Sequence, residues 1–278
     1  IKVAQLAGYV GEHSAYHHGE QSLCSTIVGM AQDFVGSNNI NLLEPIGQFG
    51  TRLQGGKDAA SARYIFTSLS PFARLLYRSE DDPILNYLND DGQSIEPDWY
   101  LPILPMVLVN GGEGIGTGWS TFIPNYNPLD IAANIRNLLD GREMTRLHPW
   151  YRGFSGTIEP LAADKYKVSG RWRVVDDTTL EITELPVGTW TQSYKEFLES
   201  LLAGDDKTPA FIRDYREYHT ETTVKFVVSM TAENLSLAES EGIEKRFKLA
   251  TTISTSNLVC FDVNGRIKKY SGPERIIE

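Results

Sequence analysis

The sequence of 278 residues predicts an α+β protein built from two domains. Three observations carry this prediction. Apolar residues of the first 35 positions recur at helical spacing, whereas the chain beyond Gly141 alternates runs of strand-forming residues with further helices. Between them lies an acidic, turn-rich segment, 80–98. We therefore predict one domain over residues 1–100 and a second, α/β domain over residues 101–278.

The first domain opens with two predicted helices, 3–16 and 20–35. The first has Val3, Leu6, Ala7 and Val10 on one side; the second has an apolar face of Leu23, Ile27, Met30, Ala31 and Phe34, with Gly36 as its stop. The tight turn at 16–19 contains Gly19 and gives the pair a helix-turn-helix outline. Together with the extended segments that follow, this outline predicts a winged-helix module, although many helical hairpins share it.

The segment 48–69 is a glycine-rich basic loop followed by a predicted strand, 63–69. Tyr64 stands at the start of that strand, beside Arg63 and after a loop that carries Arg52 and Lys57. A phenolate at Tyr64 is a suitable nucleophile for a phosphodiester, and Arg63 can hold the phosphate oxygens bidentately. An isolated Arg-Tyr pair is more often an ordinary half-buried aromatic and a solvated charge, so neighbouring features must decide.

Two glycine-rich stretches do not fit nucleotide-binding motifs. Gly56-Lys57 is followed by Asp58, and Thr51 occupies the position of the first glycine of a phosphate-binding loop. The glycines of 111–118 alternate at period two and do not open a helix, which excludes a dinucleotide fingerprint. From the residues alone, the stretch 111–118 is best interpreted as a tight turn with Ile115 tucked into the core. The alternative is an apolar wedge that enters between base steps of a duplex.

The rest of the chain is predicted from local signals. Ser70-Pro71 begins a short helix through Tyr77, and the apolar run 99–110 predicts a buried strand. Asn127-Pro128 caps a helix that ends at Gly141, with Ile131, Ile135, Leu138 and Leu139 facing inward. Strands are predicted over 157–161, 166–175, 179–185 and 223–230, with a hairpin over 258–269 that turns at Asn264-Gly265 and helices over 190–202 and 231–241.

Composition limits the function classes. No apolar run is long enough to cross a bilayer, and Cys24 and Cys260 lie in apolar settings that favour reduced structural thiols over a zinc site. The net charge of −10 argues against a polyanion partner. This objection is weaker for residues 1–70, which hold four basic and five acidic residues, because the other −9 of the net charge lies in the rest of the chain. The start at Ile1 and the end at Glu278 lead us to expect a piece of a longer chain.

The histidines differ in their positions. His13, His148 and His219 are expected to be packing residues, whereas His17 and His18 precede a helix N-terminus, which favours a bound anion. A metal site at this histidine pair is the competing interpretation, but no further ligand stands at a suitable spacing.

Several motifs together resemble the DNA cleavage core of eukaryotic DNA topoisomerase II, a type IIA enzyme. They are YHHGE at 16–20, GSNN at 36–39, QFGTR at 48–52, GGKD at 55–58, ARYI at 62–65, EGIGTGWS at 113–120, EITELP at 181–186 and KF at 225–226. The related bacterial gyrase A pattern has a proline between the two histidines, so the uninterrupted pair favours the eukaryotic branch.

The resemblance implies a winged-helix domain followed by most of a tower domain. It implies that Tyr64 forms a 5′-phosphotyrosyl bond, that Arg63 stabilises the transition state, that His18 contacts the scissile region and that Ile115 intercalates. The further DNA contacts expected are Lys57, Arg52, His17 and Gln21.

The resemblance also implies double-stranded DNA as substrate, a homodimer, a nuclear location, and Mg²⁺ and ATP bound by TOPRIM and ATPase domains outside this stretch. No metal or cofactor ligands are therefore expected within the 278 residues, and this stretch alone is expected not to relax supercoiled DNA. Two alternatives stay open: a non-catalytic winged-helix DNA-binding protein, and a bacterial-type cleavage protein of the gyrase A or topoisomerase IV kind.

Overall fold

The computed structural model of the chain describes residues 1–278 and contains the following elements. The helices are α1 (Val3–His13), α2 (Glu20–Ala31), α3 (Ala73–Leu76), α4 (Met106–Val109), α5 (Pro128–Leu139), α6 (Thr191–Ala203), α7 (Ala232–Glu241), α8 (Ile243–Arg246) and α9 (Glu274–Ile277), with a 3₁₀ helix over Ser79–Ile84. The strands are β1 (Tyr87–Asp90), β2 (Gln93–Pro97), β3 (Gly112–Gly116), β4 (Trp119–Ile123), β5 (Thr157–Ala162), β6 (Lys165–Ser169), β7 (Arg171–Asp176), β8 (Thr179–Glu184), β9 (Asp214–Glu217), β10 (Phe226–Ser229), β11 (Ala250–Ser254), β12 (Leu258–Phe261) and β13 (Ile267–Tyr270).

All strand pairs are antiparallel, in sheets ordered β1-β2, β3-β4, β11-β6-β5, β7-β8-β10-β9 and β12-β13. This mixture of helices and sheets confirms the predicted α+β class. No helix is both long enough and apolar enough to cross a membrane.

The N-terminal helices pack around a small core that also holds Ile65. Val3 and Ala7 of α1 and Leu23 and Ile27 of α2 are buried in it. The backbone N–H of Val3 donates to the carbonyl of Ile65 at 3.0 Å, which ties the start of the chain to the segment after Tyr64. The first helix and the Tyr64 segment are therefore held by the same core.

The segment 63–69, predicted as a strand, is not a regular strand. Residues 62–64 form a turn, and the segment beyond is extended but pairs only through isolated bridges, from Phe66 to Lys2 and Ile46 and from Leu69 to Leu43. Each neighbour contributes a single residue, so no continuous ladder can form.

Both N-terminal helices are shorter than predicted. Ser14 is extended (φ −135°, ψ 175°) and ends α1, and α2 ends at Ala31, before Phe34. Met30, which we expected on the buried face, is 40% exposed, whereas Cys24 is buried. The apolar spacing predicts the helices but leaves their ends uncertain by several residues.

The predicted strand 99–110 is also wrong, because its last part is helix α4. Pro102 and Pro105 remove backbone donors that a strand ladder needs, and Pro105 directly precedes the helix. A short apolar run does not by itself distinguish a buried strand from a buried helical turn.

The hairpin β1-β2 lies inside the acidic segment 80–98, for which the sequence analysis predicts no strands. Its turn has positive φ at Asp91 (+49°) and Gly92 (+87°), which is the Asp-Gly signal of a two-residue hairpin. The sequence therefore contains a local signal for this hairpin.

The second half contains the largest core, between the four-stranded sheet and helices α6 and α7. Leu180, Ile182 and Phe226 of the sheet and Leu198 and Leu235 of these helices are all buried in it. The sheet thereby fixes the position of every residue on β8, including its last one, Glu184.

The predicted strand 166–175 is divided at Gly170 into β6 and β7, which belong to different sheets. A side chain at Gly170 would lie 2.3 Å from the carbonyl oxygen of Glu184, so the chain approaches β8 too closely there for any residue but glycine. The remaining predicted strands, both predicted helices and the hairpin β12-β13 are confirmed, with shifts at their ends.

Helix α5 is confirmed, including its cap. The side-chain oxygen of Asn127 accepts a hydrogen bond from the N–H of Leu129 at 3.0 Å. The inward position expected for its last apolar residues is wrong, since Leu138 and Leu139 are 41% and 80% exposed.

Candidate nucleic-acid interface

Tyr64 lies on a surface turn whose neighbours are anchored in the protein. Its backbone N–H donates to the carbonyl of Ser61 at 2.9 Å, and the next residue, Ile65, is buried. Its own side chain is 66% exposed. The phenol is therefore open to solvent on a backbone that is held from both sides.

Arg63 lies beside this phenol. Its guanidinium carbon is 4.9 Å from the centroid of the Tyr64 ring, a cation–π distance. Both side chains are exposed, so the pair presents one fixed positive charge and one hydroxyl to the same outer surface. This arrangement can bind an anion and offer it an oxygen nucleophile.

His17, His18 and Gln21 lie together at the start of α2, and all are exposed. The Nε2 atom of His17 is 3.8 Å from a carboxylate oxygen of Asp90 in β1, and the ring of His18 packs edge-on against Tyr16. No hydrogen bond joins these three residues to Tyr64 or Arg63, although Leu23 of α2 and Ile65 share one core.

Arg52, which we expected to contact DNA, is buried instead. It is 5% exposed, and its guanidinium is held by both carboxylate oxygens of Glu184, which is itself 2% exposed. A guanidinium in this position has no free surface to offer a phosphate. Arg52 therefore fixes the loop from inside, while Lys57 of the same loop is exposed.

The carboxylate of the Arg52–Glu184 ion pair is fully hydrogen-bonded. It also accepts from the N–H of Ser155 at 3.2 Å, from the hydroxyl of Ser155 at 3.1 Å and from the N–H of Leu185 at 2.9 Å. Such satisfaction is what a buried charge pair requires. This role of Glu184 was not predicted, although its position in β8, two residues after the buried Ile182, indicates a side chain on the buried face.

The loop of Lys57 docks on the start of α6. The carbonyl oxygens of Arg52 and Leu53 accept from the N–H groups of Thr191 (3.2 Å) and Gln192 (2.9 Å), which are free donors of the first helical turn. Gly55 has φ +63°, and a side chain there would overlap the indole of Trp190. The backbone of the loop is thus fixed to the second half of the chain.

Ile115 lies near the tip of the hairpin β3-β4 and is 92% exposed. The interpretation from the residues alone, that it is tucked into the core, is therefore wrong. Gly118 (φ +76°) makes the tight turn beyond it.

Gly114 and Gly116, on either side of Ile115, have no structural need to be glycine. Neither has a positive φ, and an added Cβ would meet nothing closer than 3.9 Å and 3.8 Å respectively. Glycines in a strand often mark a place where a ligand approaches the backbone closely. Ile115 consequently stands alone on a hairpin with clear space beside it.

The family of DNA gyrase and topoisomerase IV A-subunits matches residues 1–278, the whole chain. The chain belongs to this family. It is 60% identical over 279 residues to DNA topoisomerase 2-beta of Gallus gallus and 59% identical over 282 residues to DNA topoisomerase 2 of Arabidopsis thaliana; these matches cover all of this chain but only 17% and 19% of those proteins. A crystal structure of the Plasmodium falciparum topoisomerase II DNA-binding, cleavage and re-ligation domain matches with a TM-score of 0.96 and 52% identity, covering all of this chain and 38% of that one.

Family membership confirms the resemblance that the motifs predicted, and these relatives are of the eukaryotic branch. The motifs at 16–20, 62–65 and 113–120 carry His18, Tyr64 and Ile115, which the fold leaves exposed. The chain spans less than a fifth of the length of the curated relatives it matches.

The cysteines and carboxylates form neither a reactive thiol nor a metal site. Burial raises the pKa of the Cys24 thiol, with a further contribution from Glu20, and burial also raises the pKa of Cys260. Both thiols are free and stay protonated at neutral pH. No three His, Cys, Asp or Glu side chains lie together in a way that could hold a metal ion.

Proposed function

We propose that this chain is the winged-helix and tower part of the DNA cleavage region of a eukaryotic type II DNA topoisomerase, with Tyr64 as its nucleophile. The observation that carries the proposal is the exposed phenol of Tyr64, on an anchored turn with the Arg63 guanidinium at its ring. Relatives named DNA topoisomerase 2, and a related domain named for DNA binding, cleavage and re-ligation, support it.

The proposed reaction is a transesterification. The phenol oxygen of Tyr64 attacks a backbone phosphorus in line with the bond to the 3′-oxygen. The new bond joins Tyr64 to the 5′ end, the P–O3′ bond breaks, and the 3′-oxygen gains a proton as the phenol loses one. Because one phosphodiester replaces another, the reverse reaction reseals the strand without an external energy source.

Arg63 stabilises the negative charge that builds on the phosphate oxygens. To do so it leaves the ring of Tyr64, and an exposed cation–π contact is worth only about 0.5–1 kcal/mol. A bidentate, charge-assisted pair with phosphate is stronger and more directional. His18 donates a hydrogen bond near the scissile phosphate, and His17, Gln21 and Lys57 contact the neighbouring backbone.

Ile115 acts as the wedge that bends the duplex. Insertion of an apolar side chain between base steps kinks DNA by about 20–90°. The bare backbone at Gly114 and Gly116 leaves room for the base pairs on either side of the inserted side chain.

The complete enzyme would act as a homodimer in the nucleus, where two copies cut opposite strands and a second duplex passes through. It would use ATP and Mg²⁺ held by TOPRIM and ATPase domains. The residues of this chain do not form a carboxylate cluster that fits Mg²⁺. Mg²⁺, when bound, would supply further charge stabilisation of the phosphate. We expect the 278 residues alone not to relax supercoiled DNA.

The test uses a graft in which this chain replaces the matching 279 residues of the Gallus gallus relative. The graft is incubated with duplex DNA, Mg²⁺ and ATP, quenched with detergent and assayed for protein-linked DNA. Tyr64→Phe should abolish the link while retaining DNA binding. The matched control is Tyr218→Phe, because Tyr218 is 56% exposed and also lies near a cation, Lys225, at 5.9 Å.

A non-catalytic winged-helix DNA-binding protein is the competing function. It predicts that the graft binds DNA but never becomes linked to it. Linked DNA that persists in Tyr64→Phe would leave the enzyme class in place but refute the assigned nucleophile.

A further inference from the structure

The turn between α1 and α2 is closed by its own side chains. The Ser14 hydroxyl donates to the carbonyl of Val10 at 2.6 Å and accepts from the N–H of Tyr16 at 3.2 Å. The Tyr16 hydroxyl donates to the carbonyl of Gly19 at 3.0 Å. This last bond spans His18, so the backbone of that histidine lies inside a closed loop.

Tyr16 also contacts the imidazole of His18 directly. The two ring centroids are 5.6 Å apart and the ring planes are inclined by 75°, which is a favourable edge-to-face arrangement. The tyrosine is half-buried and packs on the N-terminal core, to which Ile65 also belongs. Tyr16 therefore connects the exposed ring of His18 to the core that holds the residue after Tyr64.

The hairpin β1-β2 holds the same turn through two carboxylates. Both carboxylate oxygens of Glu96 in β2 accept from the N–H of Ala15, at 3.1 Å and 3.3 Å. A hydrogen bond to an ionised acceptor is roughly twice as strong as a neutral one. From β1, a carboxylate oxygen of Asp90 lies 3.8 Å from the Nε2 atom of His17. The turn with the two histidines is thus fixed both by the N-terminal core and by this hairpin.

We propose that Tyr16 and Glu96 are positioning residues for His18. Tyr16 orients the imidazole through the ring contact and the closed turn, and Glu96 fixes the backbone where the chain enters that turn. Together they place His18 relative to Tyr64, to which no hydrogen bond joins it. The inference rests on the proposed function, in which His18 donates a hydrogen bond near the scissile phosphate. Such positioning raises the rate because the imidazole is ordered when the protein folds, before DNA binds.

The test measures the rate at which the graft forms protein-linked DNA at saturating DNA, together with its affinity for DNA. Tyr16→Phe keeps the ring in place but removes the bond to Gly19, so the rate should fall about threefold to tenfold while the affinity is retained. The matched control is Tyr9→Phe, because Tyr9 also pairs with a histidine, His13, at 4.1 Å between ring centroids, but lies within α1. The control should leave the rate unchanged.

Two substitutions separate the hydrogen bond of Glu96 from its charge. Glu96→Ala removes the acceptor and should lower the rate about tenfold, whereas Glu96→Gln keeps an acceptor oxygen for Ala15 and should recover most of that rate. The control is Asp98→Asn, because the exposed carboxylate of Asp98, just after β2, bonds to the Asn86 amide at 3.0 Å instead of to the turn. It should leave the rate unchanged.

Tyr16→Phe and Glu96→Ala are then repeated in a His18→Ala graft, which keeps Tyr64 and can still be linked slowly. A residue that acts through His18 has no further effect once the imidazole is gone, so neither substitution should slow this graft further. Losses that multiply in the double variants would overturn the inference, and so would an unchanged rate in either single variant. An unmodified graft that never becomes linked to DNA would instead refute the proposed function, which separates the two failures.

Discussion

The substitution Glu184→Gln isolates the contribution of the buried ion pair to stability. It keeps the shape of the side chain but leaves the Arg52 guanidinium, which is 5% exposed, without its counter-charge. Breaking a buried pair from one side destabilises a protein by about 3–5 kcal/mol. The amide oxygen can still accept from the N–H of Ser155 or Leu185, so we expect the lower end, about 3 kcal/mol.

The assay is urea unfolding followed by tryptophan fluorescence, because Trp190 lies where the loop of Arg52 meets α6. The control is Glu181→Gln, the same substitution on the same strand, which removes an ion pair with the exposed Arg173. It should leave the urea midpoint almost unchanged, because the Arg173 end of this pair is open to solvent and such pairs contribute little. Replacing both Arg52 and Glu184 by Met should restore most of the stability that Glu184→Gln loses.

Equal shifts of the urea midpoint in Glu184→Gln and Glu181→Gln would contradict a stabilising role of the buried ion pair. A double Met variant less stable than Glu184→Gln would contradict it as well. Either result would mean that the pair is solvated or that its partners reorganise without loss.

Three further predictions concern Gly116 in the hairpin β3-β4, Tyr215 and Cys24. Gly116→Ala should leave the unfolding midpoint unchanged, because its Cβ has space, but should lower DNA bending measured by fluorescence energy transfer in the graft; unchanged bending would contradict this. Burial, together with a hydrogen bond to Glu199, raises the pKa of Tyr215 to about 12, whereas an unfolded phenol ionises near 10. The corresponding stabilisation is present below pH 10 and is lost as the pH rises toward 12, so Tyr215→Phe should show a smaller loss of urea stability between pH 9 and pH 11 than the wild type, and an equal loss would contradict the assignment. Cys24 should react with iodoacetamide far more slowly in the native chain than in urea, since burial raises its pKa, and equal rates would show that the N-terminal core opens readily.

Local signals predicted much of the fold. The Asn127-Pro128 cap and the Asn264-Gly265 turn act within a few residues, and both are where the sequence places them. The prediction for the run 99–110 was wrong because an apolar tetrapeptide fits a strand or a helical turn equally well, and only its packing decides.

The site could be predicted in its chemistry but not in its arrangement. Arg63 and Tyr64 are adjacent in sequence, so their pairing required no long-range information. Arg52 and Glu184 are 132 positions apart, and nothing near Arg52 reveals that its charge is buried. The exposure of Ile115 could not be predicted without the strand register of its hairpin, because only the register shows that this side chain is left uncovered.

Identifying the amino acid that becomes bonded to DNA tests directly whether Tyr64 is the nucleophile. Protein-linked DNA from the graft is digested with nuclease and protease, and the nucleotide-bearing peptide is sequenced by mass spectrometry. We predict a 5′-phosphoryl group on the phenol oxygen of Tyr64. A nucleotide on any other residue of this chain, or DNA joined through its 3′ end, would contradict the proposed attack by Tyr64.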